Sequence, residues 1–463
     1  MKAKPGSSFG ANSPPYTTHL RVLPRRAFLR ESLACAGGLA ICLPAVTSGL
    51  EQAQPKPLGS AKGIHPGRVA WVHDSEVTDW KGPGDGHWWE PKRVKQERAD
   101  AMMARAVCEL TGEATVAKAW AKLFRHLNRA QGKGDVGYGA GEKITIKPNW
   151  VGMLYRDSHV NQDTCAFNSR HDYMNTGPQM ILALINQLAS VGVAPQNVTI
   201  CDTLACVAKE YYDLLHGAFA AVRFEDQLGK FERLKVKSSN QPLHWSSRPQ
   251  GKAPDYLPTC FADASYLVNF ANLKAHTLGG VTLCAKNHLG SLIRWPVQNG
   301  YYNLHPNCFS RDAGIYRPLV DLVGHPHLGG KTVLYLVDGL FAGVHPVDAA
   351  PQRMKSPAFN GQWSCSLLAS QDPLAIDSVG FDFLSTEWPD IAGKGVDDYL
   401  HEAALADDPP SGTFYDPTHA TPTQRLASLG VHEHWNNAQE RRYSRNLGSG
   451  EGIQLVSAKL GKV

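Results

Sequence analysis

The sequence predicts an α/β domain: a mainly parallel sheet flanked by helices, with a polar site at the carboxyl ends of the strands. Three observations carry that expectation. Short β-branched or apolar runs at 68–72, 143–147, 197–201, 266–270 and 332–337 are separated by stretches of helical periodicity, the pattern of strands joined by crossovers. Four of those runs lead into polar residues: Lys147 with Asn149, Asp202, Lys274 with His276, and Asp338. The chain's 463 residues, 43% hydrophobic, supply the apolar surface for one large domain or two of ordinary size.

Taken in order, residues 1–53 read as an export signal and 54–66 as a linker. Residues 67–407 read as the α/β domain and 408–463 as a loop-rich carboxyl-terminal extension that wraps the body. After the strand at 68–72, WKGPGDGHWWEP (80–91) is an irregular aromatic loop, either packed on the surface or hinged over the crevice at Gly82, Gly84 and Gly86. Helices are expected at 94–110 and 113–130. The run KITIK alternates, and Pro148 must end its ladder, which leaves Lys147 and Asn149 at the strand's carboxyl end. The polar, poorly periodic stretch 155–175 is the candidate for substrate specificity, since long loops in compact domains are often functional. A helix at 179–191 precedes the strand that stops at Asp202. Residues 208–262 mix short strands with polar turns, a candidate subdomain, and a helix at 318–323 precedes the strand that stops at Asp338. Asp372 and Pro373 are a natural helix cap and first helical residue, and Asp377 follows among apolar neighbours.

The most informative stretch is VNFANLKAHTLGGVTLCAKNHLG, residues 268–290, which sets lysines, histidines and asparagines among apolar residues. Burying such groups is costly unless something pairs with them. A strand carrying Asn272, Lys274 and His276 breaks at Gly279-Gly280, and a helix is expected at 281–289. On that helix Thr282 and Lys286 would share a face, with Asn287 beside them pointing back toward Lys274 and His276. Cations and amide donors around one small volume suit an anion: a carboxylate, a phosphate or an enolate. The alternative is a buried structural network. In open α/β sheets, ligands bind beyond the carboxyl ends of the strands, where these residues fall. The expected roles follow. Lys274, Lys286, Asn287 and Asn272 hold the anion or its developing charge, His276 is the acid or base, and Lys147 and Asn149 complete the wall. Asp202, Asp338 and Asp377 orient these groups, pair with them, or hold a divalent metal.

The ordered set KPN at Lys147, ICD ending at Asp202, NLKAHTLGGVTLCAKNHLG, VDGL at Asp338 and QDPLAID ending at Asp377 resembles the domain-of-unknown-function 362 family, over roughly 68–455. WVHDSEVTDW, YRPLVDLVGHPHLGGKTVLYLVDGL and LGVHEHWNNAQERRYSRNLG are similar to a longer, exported subgroup of it. The resemblance implies an α/β domain with an unassigned polar site and supplies no reaction. Many relatives carry a cysteine-rich iron–sulfur segment; this chain has no ferredoxin-type C-x-x-C-x-x-C run.

Pro24-Arg25-Arg26-Ala27-Phe28-Leu29-Arg30, followed by a modestly apolar run at 33–46, resembles a twin-arginine export signal too short to span a membrane. It makes the export machinery a partner and the periplasm the destination. Removing residues 1–53 takes away six of 47 basic and two of 42 acidic residues, leaving 41 against 40. A near-neutral body argues against nucleic acid as a partner, and no basic amphipathic helix argues for a stable membrane anchor. Of the cysteines beyond the signal, Cys165 and Cys308 lie in polar loops and are the first candidates for a bridge. His432-Glu433-His434 lacks the i, i+4 spacing that puts two imidazoles on one helical face and reads as structural. Two other functions fit the sequence: a periplasmic redox protein with a bound metal or other cofactor, and a non-catalytic ligand-binding module.

Overall fold

The apolar runs pair into one ten-stranded sheet. Its strands are β1 (Arg68–His73), β2 (Ile144–Pro148), β3 (Val198–Cys201), β4 (Arg223–Asp226), β5 (Leu234–Lys235), β6 (Tyr266–His276), β7 (Gly280–Thr282), β8 (Thr332–Gly343), β9 (Ser366–Ser370) and β10 (Gln454–Lys459). The computed structural model describes residues 56–154, 159–168, 170–246, 253–277, 279–294, 318–345, 350–419 and 424–461. The twin-arginine stretch and Cys308, with the bridge suggested for it, lie outside the described residues; Cys165 is a buried thiol.

Across the sheet the order is β10-β1-β9-β8-β6-β2-β3-β4-β5, with β7 beside β6. Along that path only β9 runs against its neighbours; β8, β6, β2, β3, β4 and β5 are all parallel. The fold is therefore the mainly parallel α/β class expected. Helices α1 (Gln96–Thr111), α2 (Val116–Ala130), α3 (Pro178–Ser190) and α4 (Lys209–Ala218) bury one face of the sheet, over Ile144, Ile146, Val268 and Phe270. Helices α5 (Cys284–Asn287), α6 (Pro318–Gly324), α7 (Pro373–Glu387) and α8 (Val396–Ala404) bury the other, over Leu267, Ala271, Leu273 and Val337. Covered on both sides, β6 and β8 have every residue buried, the asparagines, lysine and histidine of β6 included.

Three local expectations change. The helix expected at 281–289 begins as a strand. Pairing of β2 with β6 ends at Pro148 opposite Phe270, and buried backbone groups further along β6 need partners. β7 supplies them antiparallel, with Gly280 opposite His276 and Thr282 opposite Lys274, and only 284–287 is α-helical. Residues 56–66, read as linker, are tied into the body: Leu58–Gly59 pairs with Val431–His432, and the Lys62 and Ile64 amides donate to Asp372 and Gln371. The carboxyl-terminal stretch does more than wrap, since it supplies β10, parallel to β1. Residues 223–226 and 234–235 join the sheet, while Ser238–Leu243 and Asp255–Pro258 form a separate hairpin.

Candidate functional site

Strand order reverses between β2 and β6. From β2 the chain moves to β3, β4 and β5 on one side, then returns to the other flank of β2 for β6. Crevices open where such connections diverge, beyond the carboxyl ends of the strands. The lysines of β2 and β6 both lie at that end, but on different faces. Lys147 alternates with Ile144 and Ile146 of the α1–α4 core, so it faces the α5–α8 side; Lys274 is in phase with Val268 and Phe270, so it faces the α1–α4 side. The single wall expected for Lys147 and Lys274 is thus two half-sites back to back.

On the α5–α8 side the polar groups satisfy one another. Lys147 Nζ donates to Asp202 Oδ2 and Asn287 Oδ1, each at 3.0 Å, and to the Pro148 carbonyl at 2.6 Å. Asp202 also accepts from the Trp150 and Leu204 amides. Asn287 donates to the Lys147 carbonyl and to Asn269 Oδ1, and accepts from Asn149 Nδ2. The cluster is closed by Gly290: a β-carbon there would lie 2.6 Å from Asp202 Oδ1 and 2.8 Å from Lys147 Nζ.

The Lys274 side is built differently. Lys274 is wholly buried and donates to the Met174 carbonyl. Burial, then the neighbouring charge of Lys286, holds its ammonium well below the usual lysine range, against the pull of Asp202 and Asp338. Burial pushes the Asp338 carboxyl up to about 6, although it accepts from the Gly177 and Leu340 amides. Asn272 Nδ2 donates to the Asp338 and Asn175 carbonyls, which fixes its amide and leaves Oδ1 buried without a partner. Thr282 Oγ1, level with Lys274 on β7, is likewise buried and unpartnered, while in the Lys147 cluster the unpartnered atom is Asn149 Oδ1. His276 Nδ1 accepts from the Gly279 amide at 3.1 Å, which puts the proton of the neutral ring on Nε2. Exposure rises from 0% at Lys274 through 4% at Thr282 to 8% at His276, so the histidine lies nearest the outside.

The sequence-derived aspartates do not form one metal set. Asp377 sits in α7 and accepts from the Cys284 and Ala285 amides and the Tyr399 hydroxyl, so it anchors the start of α5. Asp202 and Asp338 are engaged as described, and among the described residues the three are not brought together as metal ligands. Asp372 is the α7 cap, accepting from Leu374 and Ala375, and also holds Lys62 and Val431. Lys286 stays near Lys274 as charge, not on a helical face shared with Thr282. The sequence reading missed Trp88, whose ring comes within 3.3 Å of a β-carbon built on Gly177, beside Asp338. Its placement in the aromatic loop over the crevice was the available signal. The end of the 155–175 loop does reach the site, through the Met174 and Asn175 carbonyls.

No curated protein matches the chain. The family match takes in Asp202, the 268–290 stretch, Asp338 and Asp377 and leaves Lys147 and Asn149 outside it. Residues 159–382 match the family described as Domain of unknown function (DUF362).

Proposed function

We propose that the chain binds a small anion beside Lys274 and transforms it by acid–base chemistry at His276. One observation carries this reading: two buried polar atoms, Asn272 Oδ1 and Thr282 Oγ1, lack partners beside a buried lysine. Each such atom costs about 1–3 kcal/mol, so a pair of them marks a place where a polar molecule belongs. The anion restores the charge on Lys274 that burial disfavours. Asn272 Oδ1 is an amide oxygen and only accepts, so the bound molecule carries a hydroxyl or amine hydrogen beside its carboxylate or phosphate. His276 delivers the Nε2 proton from the outer end of the site.

Calorimetric screening of small hydroxylated carboxylates and phosphates tests this. Binding by the unsubstituted chain and its loss in Lys274→Met supports the reading, with turnover lost and binding kept in His276→Gln. No binding at millimolar ligand, or equal binding by Lys274→Met, refutes it. We further propose export by the twin-arginine route, from the sequence at 24–30. Replacing Arg25 and Arg26 by lysine then keeps the protein in the cytoplasm on cell fractionation.

A further inference from the structure

Two imidazoles and a carboxylate converge where α7, α8 and the carboxyl-terminal segment meet, all three beyond the matched family span. His432 ends the short strand Val431–His432, and His434 lies two residues on, their rings 5.0 Å apart. Glu433 between them turns the other way, to Ser444 and the Ile453 amide. His434 lies just beyond the strand, and its ring still falls beside that of His432, so a spacing that is wrong for a helix is right here. Asp397 comes from the first turn of α8. Its Oδ1 lies 3.2 Å from His434 Nε2 and 3.9 Å from His432 Nε2, and the three atoms are within 4.8 Å of one another.

The far sides of both rings are fixed. Ser378 Oγ gives its single proton to the Leu374 carbonyl at 2.7 Å and therefore accepts from His432 Nδ1 at 2.9 Å. That puts the ring proton on Nδ1 and a lone pair on Nε2. His434 Nδ1 lies 2.6 Å from Asp382 Oδ1, and the other Asp382 oxygen accepts from the Tyr443 hydroxyl and the Trp435 amide. Asp397 Oδ1 is buried and, though 3.2 Å from His434 Nε2, lacks a well-aligned hydrogen bond. A nitrogen lone pair and a carboxylate oxygen so disposed repel each other unless a cation lies between them.

We infer that His432 Nε2, His434 Nε2 and Asp397 Oδ1 bind one divalent transition ion, of which zinc is the type. With bond lengths of about 2.0–2.2 Å, ligand atoms of a tetrahedral zinc site lie about 3.3 Å apart. Of the three separations, Asp397 to His434 matches at 3.2 Å, Asp397 to His432 at 3.9 Å closes by a fraction of an ångström, and the two Nε2 atoms lie within 4.8 Å of each other. Two imidazoles select zinc, cobalt, nickel or iron over magnesium and calcium. The bonds from Asp382 and Ser378 are the outer contacts that metal-bound histidines ordinarily make. His434 and Asp397 are 45% and 40% exposed in their side chains, which leaves a coordination position facing solvent. The ion ties the segment that leads into β10 to α7 and α8.

The test is titration of the full chain, stripped by a chelator, with Co2+ and then Zn2+. One equivalent of Co2+ binds with visible d–d absorption, Zn2+ displaces it, and Asp397→Asn combined with His434→Gln weakens binding by more than about 100-fold. Asp382→Asn, acting through His434, weakens it by about 10–100-fold. The spectrum of the unsubstituted chain is read without any variant, so a variant that fails to fold leaves the test intact. Absence of stoichiometric Co2+ binding by the unsubstituted chain overturns the inference and leaves His434 as an imidazolium shared by two aspartates. Undiminished binding by the double variant overturns it as well, by placing the metal elsewhere.

Discussion

Lys147 and Lys274 stand at the same edge of one sheet, both fully buried, yet their surroundings differ in kind. Lys147 has a carboxylate, an amide oxygen and a backbone carbonyl as acceptors, and the groups that accept from it are satisfied in turn. Lys274 donates to a carbonyl, with another lysine's charge close by and unpartnered polar atoms around it. Burial of a charge alone says little about function. What separates a strut from a binding group is whether the surrounding hydrogen-bond inventory closes.

The sharpest way to break that contrast is to remove each ammonium while keeping its bulk. Lys147→Met strands Asp202 in the interior and is expected to destabilise the chain by about 3–5 kcal/mol in denaturant unfolding; a cost under about 1 kcal/mol would show that Lys147 is no strut. Lys274→Met removes a charge the protein scarcely compensates. It is expected to leave stability equal or higher while reducing anion affinity by about 100-fold, the worth of a charge-assisted bond.

Asp338 sharpens the comparison through pH. Its carboxyl titrates near 6 in the folded chain against an ordinary value of 3.8, so between those values the native state holds a proton that the unfolded chain has released. Stability from this group is therefore fully present below about 3.8 and lost as pH rises through about 6. Relative to Asp338→Asn, the unsubstituted chain should lose on the order of 1 kcal/mol per pH unit across that window, read from paired denaturation curves. A flat difference would mean that Asp338 is not held in a desolvated place. The smallest effect belongs to Thr282→Val. Deleting an unpartnered hydroxyl should leave stability unchanged or slightly raised and weaken anion binding by about 1 kcal/mol, measured by calorimetry.

Much of this was legible in the sequence. The ends of β2 and β3 at Pro148 and Cys201 and the Asp372 cap with Pro373 follow from alternation and breakers, which are local, whereas β8 runs on past the expected stop at Asp338 to Gly343 and Asp338 lies within it. The division into two faces was not legible. It depends on the register of β6 against β2, and register is set by pairing between segments more than a hundred residues apart. The 281–289 helix failed for a related reason: local preference yielded to the backbone groups that β2 leaves unpaired when Pro148 ends its ladder. Asp377 looked like a site residue because it is acidic among apolar neighbours, and only the contact between α7 and α5 shows it holding two amides. His432 and His434 were read with a helix's period where the chain forms a two-residue strand, Val431–His432, and an irregular continuation.

The pairing of β10 with β1 also bears on the order of events during synthesis. Among the described residues, the flank of β1 away from β9 is paired by residues 454–459, which are made almost four hundred residues later. Until then a nascent chain carries a bare hydrogen-bonding edge that can recruit a neighbouring strand, which makes loss of residues 454–459 an aggregation hazard out of proportion to its six residues.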